Sequence, residues 1–182
     1  MSELQQGGEK RWEQRDRLAR YSEVLQTSAH VARESAREAI QRAEALLEKA
    51  AHEYFRLADQ GRREVLDFFH DEAEIYFSKF GFGFGRQSLF EMVKGFDGVL
   101  EFIRHDYDKL TFIPAGDYVV VEGTSRGRLS GKPWAGGETP GGRFCNVFKF
   151  RGDRISSLHV YLDPDYTDED IPRFRWGVDR KW

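Results

Sequence analysis

The stretch GRFCNVFKFRGDRISSLHVYLD, residues 142–163, decides how the chain folds. Two runs rich in Phe, Val, Ile and Tyr flank Gly152-Asp153, and such a pair between strand-like runs signals a tight β-hairpin. The spacing predicts adjacent antiparallel strands over 143–151 and 154–162. Side chains alternate across a strand. Ile155, Ser157, His159, Tyr161 and Asp163 therefore share one face, and Ser156, Leu158, Val160 and Leu162 the other. On the first strand Asn146 shares a face with Phe144 and Phe148. The hairpin runs straight into Asp163-Pro164-Asp165, which leaves Asp163 either a strand cap or the working end of a pocket.

Upstream, residues 104–113 and 118–129 read as two further strands, with Gly116-Asp117 as the turn between them. GKPWAGGETPGG separates 118–129 from the hairpin. EIYFSKF (74–80) predicts a strand, RREVLDFF (62–69) a short helix with Val65, Leu66 and Phe69 inside, and residues 81–103 a Gly-rich loop followed by a helix. From about Glu9 to Asp59 apolar residues recur at helical spacing, at Leu18, Tyr21, Leu25, Ala32, Ala36, Ala39, Ala43, Leu46, Ala50, Tyr54 and Leu57. Thr27-Ser28 is a candidate break, with Ser28 capping a second helix. Gly61 ends the run. At ~1.5 Å per residue a helix this long overshoots a small domain, so its first part is expected to be an arm docked on its own domain or on a second subunit. Helices, a strand, a helix and then consecutive strands make an α+β protein with a mostly antiparallel sheet, not a doubly wound parallel one.

Composition narrows the function. A net charge of −3 implies no broad basic surface for nucleic acid. No apolar run approaches membrane-spanning length, and the chain opens on no signal peptide, so a cytoplasmic protein is expected. The lone cysteine, Cys145, forbids an internal disulfide and is expected as a buried structural thiol. Fifteen Phe residues, most of them after residue 54, can line a core or an apolar cavity. GFGFGRQS lacks the Lys-Ser/Thr of a phosphate loop. DPDYTDED lacks the glycine of a calcium loop. His70-Asp71-Glu72 has no ligand spacing, so no metal site is expected.

In order and spacing these signatures resemble the nuclear transport factor 2-like superfamily, in particular its SnoaL-like and scytalone-dehydratase-like branches. The resemblance rests on YFRLADQGRREVLDFFHDEAEIYF, GRQSLFEMV, RHDYDKLTFIPAGDYVVVEG and the closing hairpin, and covers about residues 45–166. It implies a cone: a curved, mixed, mostly antiparallel sheet wrapped around N-terminal helices, enclosing a deep apolar pocket. Residues 1–44 would be a helical arm, 45–166 the cone and 167–182 a C-terminal tail. Members include isomerases, dehydratases, epoxide hydrolases and polyketide cyclases, and also binding or structural proteins.

The resemblance also implies roles. It sets His105 at the position of a dehydratase acid/base histidine and Asp163 at that of a cyclase acid/base aspartate, the two catalytic candidates. It sets Asn146 where the dehydratase branch binds substrate, and Asp59 at the acidic position ending the first core helix. The tyrosine that precedes that acid in dehydratases is Ala58 here, which departs from the dehydratase pattern. Tyr54, Tyr76, Tyr161 and Phe148 complete the expected substrate-binding set. The convex side of such sheets is often a subunit interface, so the Leu158-Val160-Leu162 face is expected outside, against a second copy. The face of His159, Tyr161 and Asp163 is then expected inside. Two readings follow. One is a cofactor-free acid/base enzyme acting on a small hydrophobic oxygenated molecule. The other is a non-catalytic binding or assembly protein, and either is expected to be a homodimer or larger.

Overall fold

The computed structural model describes residues 3–163, with side chains from Arg15 onward. Asp165 and the expected tail 167–182 lie outside the described residues. The chain divides into two compact units, Met1–Ala43 and Glu44–Trp182.

Helix α1 runs Glu3–Asp59 without interruption. The expected break at Thr27-Ser28 is not made, because nothing in that pair removes a backbone donor and helix propensity resumes at Ala29. Within the first unit the side chains from Arg15 onward are exposed. Its apolar residues repeat every eleven positions: Leu18, Ala29 and Ile40; Tyr21, Ala32 and Ala43; Leu25 and Ala36. That period keeps one stripe nearly parallel to the helix axis.

In the second unit α1 buries Ala51, Tyr54, Phe55 and Leu57. It ends in a Schellman motif. Gly61 adopts φ 63°, its N–H donates to Ala58 O, and the Arg62 N–H donates to Leu57 O. A 3-10 turn over Arg63–Phe68 follows. Then come β1 (Phe69–Phe77), β2 (Gly81–Phe84), α2 (Gln87–Lys94), β3 (Leu100–His105), β4 (Thr111–Ala115), β5 (Tyr118–Leu129), β6 (Lys132–Ala135), β7 (Arg143–Arg151) and β8 (Arg154–Leu162). The sheet order is β2-β1-β8-β7-β5-β3, with β4 and β6 also paired to β5. Among these strands only β1 and β8 pair in parallel. The α+β class with a mixed, mostly antiparallel curved sheet is thus the fold observed.

Three features depart from the sequence reading. The segment 104–113 is two strands, not one. The Asp106 N–H donates to Thr124 O, the chain makes a turn at Tyr107–Lys109, and pairing resumes at Thr111 opposite Glu122. Asp106 holds this excursion by accepting from Thr124 Oγ1 and from the Arg126 guanidinium. The GFGF loop is instead strand β2, and the turn-rich 131–142 stretch contains β6.

The third departure inverts a face. Lys149 pairs with Ser157 but Phe150 pairs with Ile155, so Ser156 is an extra residue in β8. The Ser156 hydroxyl donates to Lys149 O across the bulge. Alternation restarts there. Ile155 and Leu158 both become fully buried, and Val160 and Leu162 follow them inward. The expected Leu158-Val160-Leu162 interface is corrected on this ground: it belongs to the interior. The outer face of β8 carries His159 and Tyr161, clustered with Tyr76 and the exposed Phe82. Cys145 also faces outward and is half-buried rather than buried. What burial it has pushes its thiol pKa up, which favours the protonated form.

Candidate active site

Within the second unit the concave side of the sheet, the end of α1 and α2 enclose a cavity of about 280 Å³. Its walls are mostly apolar, with Phe55, Leu66, Phe96, Phe144, Val160 and Leu162 among them.

His105 ends β3 on the cavity wall. Its ring packs between Phe55, at 4.7 Å between centroids, and Phe144, at 5.0 Å. Its Nδ1 lies 2.5 Å from Asp59 Oδ1. A carboxylate accepts only, so it fixes the ring proton on Nδ1 and leaves the Nε2 lone pair unclaimed by the dyad. Asp59 Oδ2 accepts two more bonds, from the His105 N–H and the Tyr107 hydroxyl, both at 2.8 Å. Burial alone would raise the Asp59 pKa. The bonds and charge of His105, with the Tyr107 bond, outweigh it and hold the carboxyl below its ordinary value. Tyr107 bears the converse: burial, then its bond to Asp59, push its phenol up.

Asn146 projects from β7 into the cavity and is 4% exposed. Its Oδ1 is buried with no partner among the described residues. An orphaned acceptor costs about 1–3 kcal/mol, and a ligand hydroxyl or N–H would satisfy it. Ser125 lies nearby on the wall. Its hydroxyl accepts the Trp134 indole N–H at 3.3 Å and donates toward Gly142 O.

The structure therefore brings together His105, Asp59, Asn146 and Tyr54 around one cavity. It sets the others apart. Asp163 lies off the cavity: its Oδ2 accepts the Arg143 N–H at 2.8 Å, and its own N–H donates to Arg143 O. It closes the end of the β7–β8 ladder. Burial raises its pKa, partly opposed by the Arg143 bond. Tyr76 and Tyr161 are corrected to the outer face, since the bulge at Ser156 turns Tyr161 outward and Tyr76 packs on it with ring centroids 5.6 Å apart. Phe148 is fully buried in the core, edge-on to Tyr54 and Phe55, and does not line the cavity. Sequence reasoning missed Tyr107, Ser125 and Trp134. The polar tetrad Asp-Tyr-Asp-Lys at 106–109, inside an otherwise apolar strand pattern, was the available signal for the first.

A family model described as SnoaL-like domain matches residues 50–158, more than half of the chain. No curated protein matches it. Among solved structures, that of TerC co-crystallised with polyporic acid superposes with TM-score 0.56 at 20% identity, covering 65% of this chain and 92% of that one. A candidate polyketide cyclase from Xanthomonas campestris gives 0.56 at 11% identity, over 65% and 90%. An NTF2-like protein from Burkholderia pseudomallei gives 0.57 at 16% identity, over 69% and 95%. At these identities the likeness is one of fold.

Proposed function

We propose that this chain, which belongs to the SnoaL-like family within the nuclear transport factor 2-like superfamily, is a cofactor-free acid/base enzyme. It acts on a small hydrophobic oxygenated molecule, by chemistry of the isomerase, dehydratase, cyclase or hydrolase type. One observation carries this reading: Asp59 occupies Nδ1 of His105, and the free Nε2 belongs to a ring on the wall of an apolar cavity. Nε2 takes a proton from the substrate, from carbon beside a carbonyl or from a hydroxyl, and returns it at another atom. Asp59 keeps the ring oriented and balances the imidazolium charge. It already accepts three hydrogen bonds, which makes it a positioning residue rather than a second base. Asn146 Oδ1 holds a substrate hydroxyl. Structures of the same fold include a candidate polyketide cyclase and a polyporic acid complex, which supports a small-molecule ligand.

The test is turnover across a panel of hydroxylated and carbonyl-bearing apolar compounds. His105→Gln lowers the rate on the order of 10²–10⁴-fold, the usual range for one acid/base group. Asp163→Asn, off the cavity, leaves the rate and the melting temperature in place. Full turnover in His105→Gln defeats the assignment.

A non-catalytic binding or assembly role is the second reading, favoured by the exposed apolar stripe of the arm. A panel that binds but shows no turnover in the wild type selects it. Under either reading the stripe meets its equal on a second copy, giving a homodimer or larger assembly.

A further inference from the structure

The cavity is asymmetric in charge. Arg62, Arg63 and Lys79 are among its lining residues, and all three are exposed to solvent, which marks them as its rim. Arg62 is ion-paired with Glu64 at 2.5 Å. Arg63 and Lys79 have no carboxylate within ion-pair distance among the described residues, and the Arg63 guanidinium lies 4.8 Å from the centre of the Phe90 ring. Arg63 shares that ring with Lys94, whose ammonium lies 5.1 Å from the ring centre, and the Arg63 guanidinium N–H groups make no hydrogen bond among the described residues. Among the described residues the one acid lining the cavity, Asp59, is consumed by His105 and Tyr107. By contrast Asn146 Oδ1 is buried, an acceptor with no donor among the described residues. Between these ends the wall is apolar and rich in Phe.

We infer that the ligand of this cavity is a hydrophobic organic acid of bipolar shape. Its carboxylate sits at the rim against Arg63 and Lys79, its apolar body lies among the phenylalanines, and a hydroxyl at its far end donates to Asn146 Oδ1. This names the substrate class of the site and rests on the proposed function only in taking the cavity as the place where the ligand binds. An acid of this class enters carboxylate-last, with its charged end left at the rim. The rim cations do a second job, because an exposed cation attracts an anion at long range and raises its rate of encounter.

The probes are 6-hydroxy-2-naphthoate, which carries both groups on a rigid apolar rod, 2-naphthoate, which lacks the hydroxyl, and 2-naphthol, which lacks the carboxylate. Affinities are measured calorimetrically on the full chain. In the wild type 6-hydroxy-2-naphthoate binds best, and loss of either group weakens binding roughly tenfold. The Arg63→Gln/Lys79→Gln double variant, changed only at exposed positions, abolishes the carboxylate preference and its salt dependence. It leaves 2-naphthol binding unchanged. Asn146→Leu, which removes the orphaned oxygen, abolishes the hydroxyl preference alone.

A carboxylate preference that survives the double variant overturns the rim assignment. A hydroxyl preference that survives Asn146→Leu overturns the deep one. Failure of all three probes to bind overturns the bipolar acid as the ligand class, whereas the acid/base reading stands or falls separately on turnover by His105→Gln.

Discussion

His105 and Asp163 looked alike in sequence, each a titratable residue at a strand end, and the structure separates them by what surrounds each. His105 meets two aromatic rings and a carboxylate, while Asp163 meets a backbone N–H. Asp59 was legible through the family resemblance as an acid ending the first core helix, but its pairing was not, since its partners lie 46 and 48 residues away and no local pattern announces them. Its carboxyl is held below the ordinary pKa, so the unfolded chain binds the proton more readily than the folded one. The resulting stability is fully present above the ordinary carboxylate value and is lost as pH falls through the lower folded value. Asp59→Asn therefore melts below the wild type at neutral pH, and the gap begins to narrow as pH drops below about 4 and closes only below the lower folded value. Melting curves across that range check it; a gap that widens in acid would contradict the assignment.

The strands were legible where turns punctuate them. Gly116-Asp117 and Gly152-Asp153 each close a hairpin, and Gly116 and Gly152 adopt φ of 64° and 66°. Facing was not legible, because strict alternation assumes an unbroken ladder and Ser156 breaks it by one residue. The clue was the Ser-Ser pair between Ile155 and Leu158, two apolar residues an odd distance apart. Strand β6 was hidden for a different reason, since it is only four residues long, contains Pro133 and is followed by the turn-rich stretch from Gly136. Gly127 stands opposite Trp134 in register, and a Cβ there would collide with the Trp134 indole and the Phe102 carbonyl oxygen. Gly127→Ala is expected to destabilise the fold by roughly 1–3 kcal/mol, the usual cost of overpacking. The urea midpoint reads this directly, and an unshifted midpoint would mean that the indole is free to move aside.

For the chain as a whole, element order carried the fold class, since consecutive strands after paired helices leave few architectures open. The family match covers residues 50–158 and stops short of the arm, whose use rests on its own pattern. Leu18 and Leu25 lie on its eleven-residue stripe and are 60% and 69% exposed. Replacing both by Lys should bring the mass in light scattering down to a monomer, with the melting of the second unit unchanged; a wild type already monomeric at micromolar concentration would refute the pairing. The long strand β5 has a consequence of its own. Val119–Glu122 pair with β4 on one edge and β7 on the other, whereas Arg126–Leu129 pair with β3 and β6. One segment thus belongs to four ladders, and its amides are released only when several of them part together. In heavy water those of Val119 to Thr124 should be the last in the molecule to take up deuterium, at rates set by global opening. Those of the edge strand β2, joined to the sheet by β1 alone, should be among the first. The order in which the amides go dark would then trace how the cavity wall comes apart, from its rim inward to the strand that every neighbour shares.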